Sequence, residues 1–119
     1  MLSDRVKREI QERFEPGCRV YVAGPYSSNP EANVGRAMAV WHELKDLGFH
    51  PYLPHLSHFL HLVRPRAYEE WLAYDLIELR LCHALLRLDG NSAGADLEVE
   101  EAGRMAIPIV FCEDDELLR

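Results

Sequence analysis

Two periods of apolar residues alternate along the chain, and each change of period marks a new element. Val6, Ile10 and Phe14 return at helical spacing among charged neighbours, which predicts a short amphipathic helix over 3–14, broken by Pro16-Gly17. Cys18-Arg-Val-Tyr-Val-Ala then reads as a first strand ending at Gly24-Pro25. Ser27-Ser-Asn-Pro-Glu supplies an N-cap, with Pro30 at the first helical position. The helix that follows puts Val34, Ala37, Met38, Trp41 and Leu44 on one face, and Gly48 closes it. Phe49-His-Pro-Tyr-Leu is a short second strand, and Pro51, which cannot donate to a ladder, assigns it to a sheet edge. A histidine-rich loop is expected from Pro54 to about Pro65, and a helix from about Arg66 to Leu81. His83-Ala-Leu-Leu-Arg-Leu is the third strand, Asp89-Gly-Asn-Ser a turn capping a helix from about Ala93 to Met105, and Ile107-Pro-Ile-Val-Phe the last strand. An acidic, solvated tail runs from Glu113 to Arg119.

The order β-α-β-α-β-α-β behind a leading helix predicts an α/β fold with a parallel sheet and right-handed crossovers. About four strands in the order 2-1-3-4 are expected, with helices on both faces. Ligands of such sheets sit beyond the carboxyl ends of the strands, where the winding reverses. That point lies between the first and third strands, at the loops Gly24-Pro-Tyr-Ser-Ser-Asn and Asp89-Gly-Asn-Ser-Ala-Gly-Ala.

Composition narrows the partners. The chain has 119 residues, 48% of them hydrophobic, which suits one domain over 1–119 with residues 1–16 as an N-terminal helical extension. A formal net charge of −7 argues against gripping a nucleic-acid backbone or an anionic membrane surface. No apolar run approaches the length of a membrane span, and the charged stretch Met1–Ile10 is unlike a secretory signal. Cys18, Cys82 and Cys112 are odd in number and far apart, and each adjoins an expected strand. They read as buried, reduced thiols of a cytoplasmic protein.

Asp75 interrupts the apolar stripe Tyr68, Leu72, Leu79, Cys82 of its helix. A carboxylate there either bonds a neighbouring element or faces a site. Glu98 stands in the second turn of its helix beside Val99, Ala102 and Ala106. It is either one of several solvated acids at a helix start or an ionised carboxylate of the kind a nucleophile requires. Asn91-Ser-Ala-Gly-Ala-Asp offers free N–H groups and the Ser92 hydroxyl to an anion, or is an ordinary cap. The loop with Gly24, Ser27 and Ser28 has the same potential; neither loop has the Gly-Lys-Ser/Thr of a P-loop or the three spaced glycines of a dinucleotide fingerprint. His55, His58 and His61 lack metal-type spacing and read as ring contacts over the site rather than as ligands.

Taken together, Tyr21-Val-Ala-Gly-Pro-Tyr, Asn33-Val with Arg36-Ala, Pro54-His-Leu-Ser-His-Phe, Tyr68-Glu-Glu-Trp-Leu with Asp75-Leu, and Ser92-Ala-Gly-Ala-Asp-Leu-Glu-Val-Glu resemble the nucleoside 2-deoxyribosyltransferase-like superfamily, and most closely its small uncharacterised bacterial branch. The resemblance covers about residues 18 to 112. It implies a flavodoxin-like three-layer fold and cleavage or transfer of an N-glycosidic bond in a nucleoside or nucleoside 5′-monophosphate, as an N-glycoside hydrolase or deoxyribosyltransferase. On this resemblance Glu98, four residues before Ala102, is the nucleophile; Asp75 serves the leaving base; and Tyr21 orients the nucleophile. Gly24, Pro25, Tyr26, Ser27, Ser92, Gly94, His55 and His58 become the substrate contacts, with no metal or organic cofactor. Ser92 resembles the branch taking 5′-monophosphates, whereas His83 stands where relatives often carry an acid. Relatives complete the site from a neighbouring subunit. A homodimer or larger even oligomer is therefore expected, with aromatics such as Trp41, Phe59, Tyr68 and Trp71 at its interface. The alternatives are a non-catalytic nucleotide-binding or sensing module on the same scaffold and, more distantly, a purely structural partner protein.

Overall fold

The computed structural model describes residues 1–113, so the expected acidic tail lies, beyond Glu113, outside the described residues. Helix α1 (Asp4–Arg13) precedes strand β1 (Arg19–Ala23), helix α2 (Pro30–Asp46) and strand β2 (His50–Tyr52). A 3₁₀ turn (Pro54–Leu56) runs into α3 (Ser57–Val63), followed by α4 (Tyr68–Leu79), β3 (Ala84–Arg87), α5 (Ala93–Arg104) and β4 (Ile109–Phe111). The strands form one parallel sheet in the order β2-β1-β3-β4, as the element pattern predicts, with β2 at an edge. No helix among the described residues is long and apolar enough to cross a membrane.

Strand alternation divides the interior into two cores. Val20, Val22, Leu86 and Val110 point to one face, where they meet Val6 and Ile10 of α1 and Ala37, Val40 and Leu44 of α2. Tyr21, Ala23 and Leu85 point to the other, against Leu79, Cys82, Ala95 and Ala102 from the α4–α5 side. The registers Tyr21↔Tyr52 and Tyr21↔Leu85 place Tyr21 at the centre of that second face, between β2 and β3. Helix α1 is tied to the far edge by Arg5, which donates to the carbonyls of Phe111 and Cys112, and by Arg13, which donates to that of Ile109.

Four local expectations are corrected. The buried stripe of α2 is Val34, Ala37, Val40 and Leu44; Met38 is exposed, and Trp41 lies at the margin with its Nε1–H donating to the Pro51 carbonyl at 3.2 Å. The histidine-rich segment is helical rather than a loop. Periodicity could not reveal α3 because none of its residues is buried; Arg64 leaves the helical region directly before Pro65, as a residue preceding proline tends to. On α4 the expected stripe is buried only at its end: Leu79 and Cys82 are buried, Leu72 and Asp75 are partly so, and Tyr68 is exposed. The thiols are likewise uneven, with Cys82 buried and Cys18 and Cys112 half-buried, all of them free.

Two helices end in the same hydrogen-bonded motif. After α2, Phe49 N–H donates to Leu44 O and Gly48 N–H to Lys45 O; after α5, Ile107 N–H donates to Ala102 O and Ala106 N–H to Gly103 O. The motif needs a left-handed residue, which is Gly48 at φ 95° in one case and Ala106 at φ 57° in the other. An alanine there pays a steric penalty that glycine does not. Ala106→Gly is therefore expected to stabilise the protein by roughly 0.5–1 kcal/mol, read as a higher urea midpoint. A lower midpoint would refute the strain assigned to Ala106.

Candidate active site

The site begins with a tyrosine in the middle of β1 that has nowhere to go but inward. Tyr21 is fully buried on β1, its ring stacked on Tyr52 with centroids 5.5 Å apart. Helix α5 answers its hydroxyl. Small residues at 95 and 102 let that helix lie close to the sheet, and Glu98, between them on the same face, is buried with them. The Tyr21 O–H donates to the Glu98 carboxylate in a buried hydrogen bond. Burial pushes the Glu98 carboxyl up to about 8; the hydrogen bond from Tyr21 and the positive charge of Arg87 act against this, and the negative charge of Asp75 adds to it.

Asp75 approaches from α4. Its Oδ1 is buried without a hydrogen-bond partner among the described residues. Burial, helped by Glu78 one turn away, pushes its carboxyl up to about 7. Burial chiefly, and then the carboxylates, hold the Tyr21 hydroxyl well above its ordinary range, and burial and Asp75 raise that of Tyr52. The two acids flagged in the sequence thus share one electrostatic neighbourhood with Tyr21. Tyr52 and Arg87, which belong to it as well, were missed. Register with Tyr21 was the available sign for Tyr52. For Arg87 it was a cation at the position that alternates with Leu85 in an otherwise apolar strand.

The two loops at this edge are in contact. A Cβ on Gly24 would come within 3.0 Å of the Leu88 side chain, and one on Gly90, at φ 111°, within 2.8 Å of Pro25. Ser92 caps α5, its Oγ accepting from the Ala95 N–H at 3.1 Å. Gly94 leaves room for the Tyr68 hydroxyl, which lies 3.3 Å from where its Cβ would be. On the first loop Ser27 is exposed, and Asn29 caps α2. Tyr26 shares a 2.7 Å hydrogen bond with Nδ1 of His58. His55 is buried under the loop, its Nε2 bonded to the Pro25 carbonyl at 3.1 Å, and burial lowers its pKa. His61 instead accepts from Trp71 Nε1–H at 2.9 Å. The three imidazoles therefore serve separate sets of partners, and among the described residues no group of three or more potential ligands could hold a metal ion. Arg36, in the second turn of α2, is spent on Asp89 at 2.6 Å.

A family model described as a domain of unknown function, DUF7768, matches residues 18–112. No curated protein matches the chain. Among solved structures, a 2-deoxyribosyltransferase of Bacillus psychrosaccharolyticus is similar with a TM-score of 0.56 and 19% identity, over 84% of this chain and 78% of that one. A 2-deoxyribosyltransferase of Leishmania mexicana is similar with a TM-score of 0.62 and 15% identity, over 79% of this chain; the chain spans 63% of that protein's length. At these identities the likeness establishes a shared α/β fold.

The buried carboxylate makes stability depend on pH with a definite sign. In the unfolded chain a glutamate ionises at about 4.3, whereas folded Glu98 holds its proton up to about 8. Below the lower value both states are protonated and nothing is lost; between the two, the unfolded state ionises first and folding becomes less favourable as pH rises. The urea midpoint is predicted to fall from about pH 5 to about pH 8, and Glu98→Gln to flatten that decline, with a gain of up to about 5 kcal/mol at the upper end. An identical pH dependence in the variant would overturn this account of Glu98.

Proposed function

The chain belongs to the DUF7768 family of domains of unknown function, and we propose that it cleaves or transfers the N-glycosidic bond of a nucleoside or nucleoside 5′-monophosphate through Glu98. The observation supporting this most directly is the buried hydrogen bond from Tyr21 to Glu98, beside a buried Asp75 oxygen that has no partner. Solvated acids at a helix start would show neither feature. A carboxylate oxygen of Glu98 attacks the anomeric carbon, and the C–N bond breaks with its electron pair going to the base nitrogen. Asp75 delivers the proton that neutralises the leaving base. Water, or a nitrogen of a second base, then attacks the same carbon from the face the base has left, yields its proton to Asp75 and frees Glu98. Tyr21 and Arg87 lower the cost of charge on Glu98 without overcoming its burial, and positive charge developing on the sugar supplies the rest, ionising Glu98 and leaving the proton on Asp75.

The first turn of α5 bears backbone N–H groups that the helix itself does not use, and the Ser92 hydroxyl has a proton left to donate while its oxygen caps Ala95. Together with the start of α2 they favour a 5′-phosphate over a 5′-hydroxyl by about 1–3 kcal/mol. The superfamily's small bacterial branch is the assignment we favour, with residues 1–119 as one domain. The cytoplasm suits three free thiols.

The protein also assembles as a homodimer or larger even oligomer. Leu60, Leu62 and Val63 on α3 are 62–87% exposed, and Tyr74, Ile77 and Leu81, along the outer side of α4 and just past its end, 52–57%. Six large apolar side chains left this exposed on two helices are best covered by a second copy. Light scattering is expected to show a dimer or larger even oligomer at micromolar concentration and a monomer for Ile77→Lys; a wild-type monomer would exclude the assembly.

Turnover of a panel of nucleosides and their 5′-monophosphates, followed by release of free base, tests the reaction. The wild type is expected to prefer the monophosphate, Ser92→Ala to lose much of that preference, and Glu98→Gln to lose roughly a thousandfold or more in rate. Ligand binding without turnover of any member would leave a non-catalytic nucleotide-binding module.

A further inference from the structure

Arg87 is the cation of this neighbourhood. It closes β3 on the same face as Leu85 and pairs in register with Ala23. Its side chain is only 11% exposed, although arginine is a residue seldom buried without partners. The partners are specific: the guanidinium donates to the carbonyl of Leu88, to that of Gly90 at 3.0 Å, and to Asp96 Oδ1 at 3.0 Å. The first two acceptors are the backbone of the turn leading from β3 to α5. The third is in the first turn of α5, two residues before Glu98. Gly90 in turn abuts Pro25 of the first loop, so the turn that Arg87 binds is also the one that closes the carboxyl edge of the sheet.

We propose that Arg87 is a positioning residue for Glu98: its planar fork fixes the 88–92 turn and the first turn of α5, which sets where Glu98 meets Tyr21, and it supplies the fixed positive charge beside that carboxylate. Lysine cannot reproduce the fork, because a single ammonium binds as a point charge. Three ionisable groups face Glu98 from the elements around it. Tyr21 from β1 donates a hydrogen bond, Asp75 from α4 opposes ionisation, and Arg87 from β3 favours it. Arg87 is thus the counterweight to Asp75, and removing it leaves two carboxyls competing for one proton.

The name nucleophile for Glu98 rests on the function proposed above, but the positioning does not, and the test separates the two. Glu98 is titrated directly, by carbon-13 NMR of its side-chain carboxyl, in the wild type, Arg87→Lys, Arg87→Met and Arg87→Gln. The neutral variants are expected to raise the Glu98 midpoint by about one pH unit, with Arg87→Lys staying near the wild type. Two neutral variants are included so that the failure of one to fold still leaves a measurement. In turnover, the neutral variants are expected to shift the rising limb of the kcat/KM profile to higher pH by the same interval, about tenfold in rate on the acid side. Arg87→Lys keeps the limb in place but lowers kcat. An unmoved Glu98 midpoint in a folded neutral variant overturns the electrostatic role, and wild-type kcat in Arg87→Lys overturns the role of the fork. Absence of turnover in the wild type refutes the proposed reaction alone, because the titration still decides for or against Arg87.

Discussion

A carboxylate enclosed by an α/β core must find a hydrogen-bond donor, and in this protein the donor is the hydroxyl of Tyr21. Tyr21 sits on the central strand, laddered to β2 on one side and β3 on the other, so its ring is among the most firmly placed groups in the molecule. That fixed point organises the rest of the edge. Tyr52 stacks on it from the neighbouring strand, α5 comes near enough to present Glu98 because Ala95 and Ala102 are small, and α4 brings Asp75 alongside. Remove the tyrosine hydroxyl and an acid is left buried with Arg87 as its one counterweight among the described residues.

The energetics of this arrangement oppose one another. Burial disfavours charge on both acids and pushes them up towards neutrality. Tyr21 and Arg87 pull the other way, and only on Glu98. Glu98 is the more deeply buried of the two and still holds its proton to the higher pH, so hydrogen bonding and one cation moderate the effect of burial without reversing it. Such a pair costs folding free energy at neutral pH that the two apolar cores must offset. A cost of that kind is commonly borne where a site needs acids poised near the working pH.

The two faces of the sheet also differ in how completely they are covered. Under α1 and α2 the packing is dense, with Val6, Ile10, Val40 and Leu44 at most 1% exposed. On the other face α4 fully buries only its end, and no residue of α3 is fully buried. The better-covered face holds the sheet together; the more open one holds the buried acids and the surface that most needs a partner.

What the sequence by itself determined is the scaffold, because strand and helix periods, caps and breakers act over a few residues. The alternation of Cys18–Ala23, Pro30 behind Asn29, Ser92 before Ala93, and Gly48 after α2 suffice for the element order, and the order of a parallel sheet follows from crossover geometry. Asp75 and Glu98 were visible as acids on or beside apolar faces, with two readings open for each. The tertiary structure alone decided which faces met. Val40 displaced Met38 and Trp41 from the core because the rotation of α2 is set by the sheet beneath it, and α3 was hidden because a helix with no buried face leaves no period to read. Tyr52 and Arg87 joined Glu98 only through register and helix approach, which are distances between segments far apart in the chain, and no local pattern of residues encodes such distances.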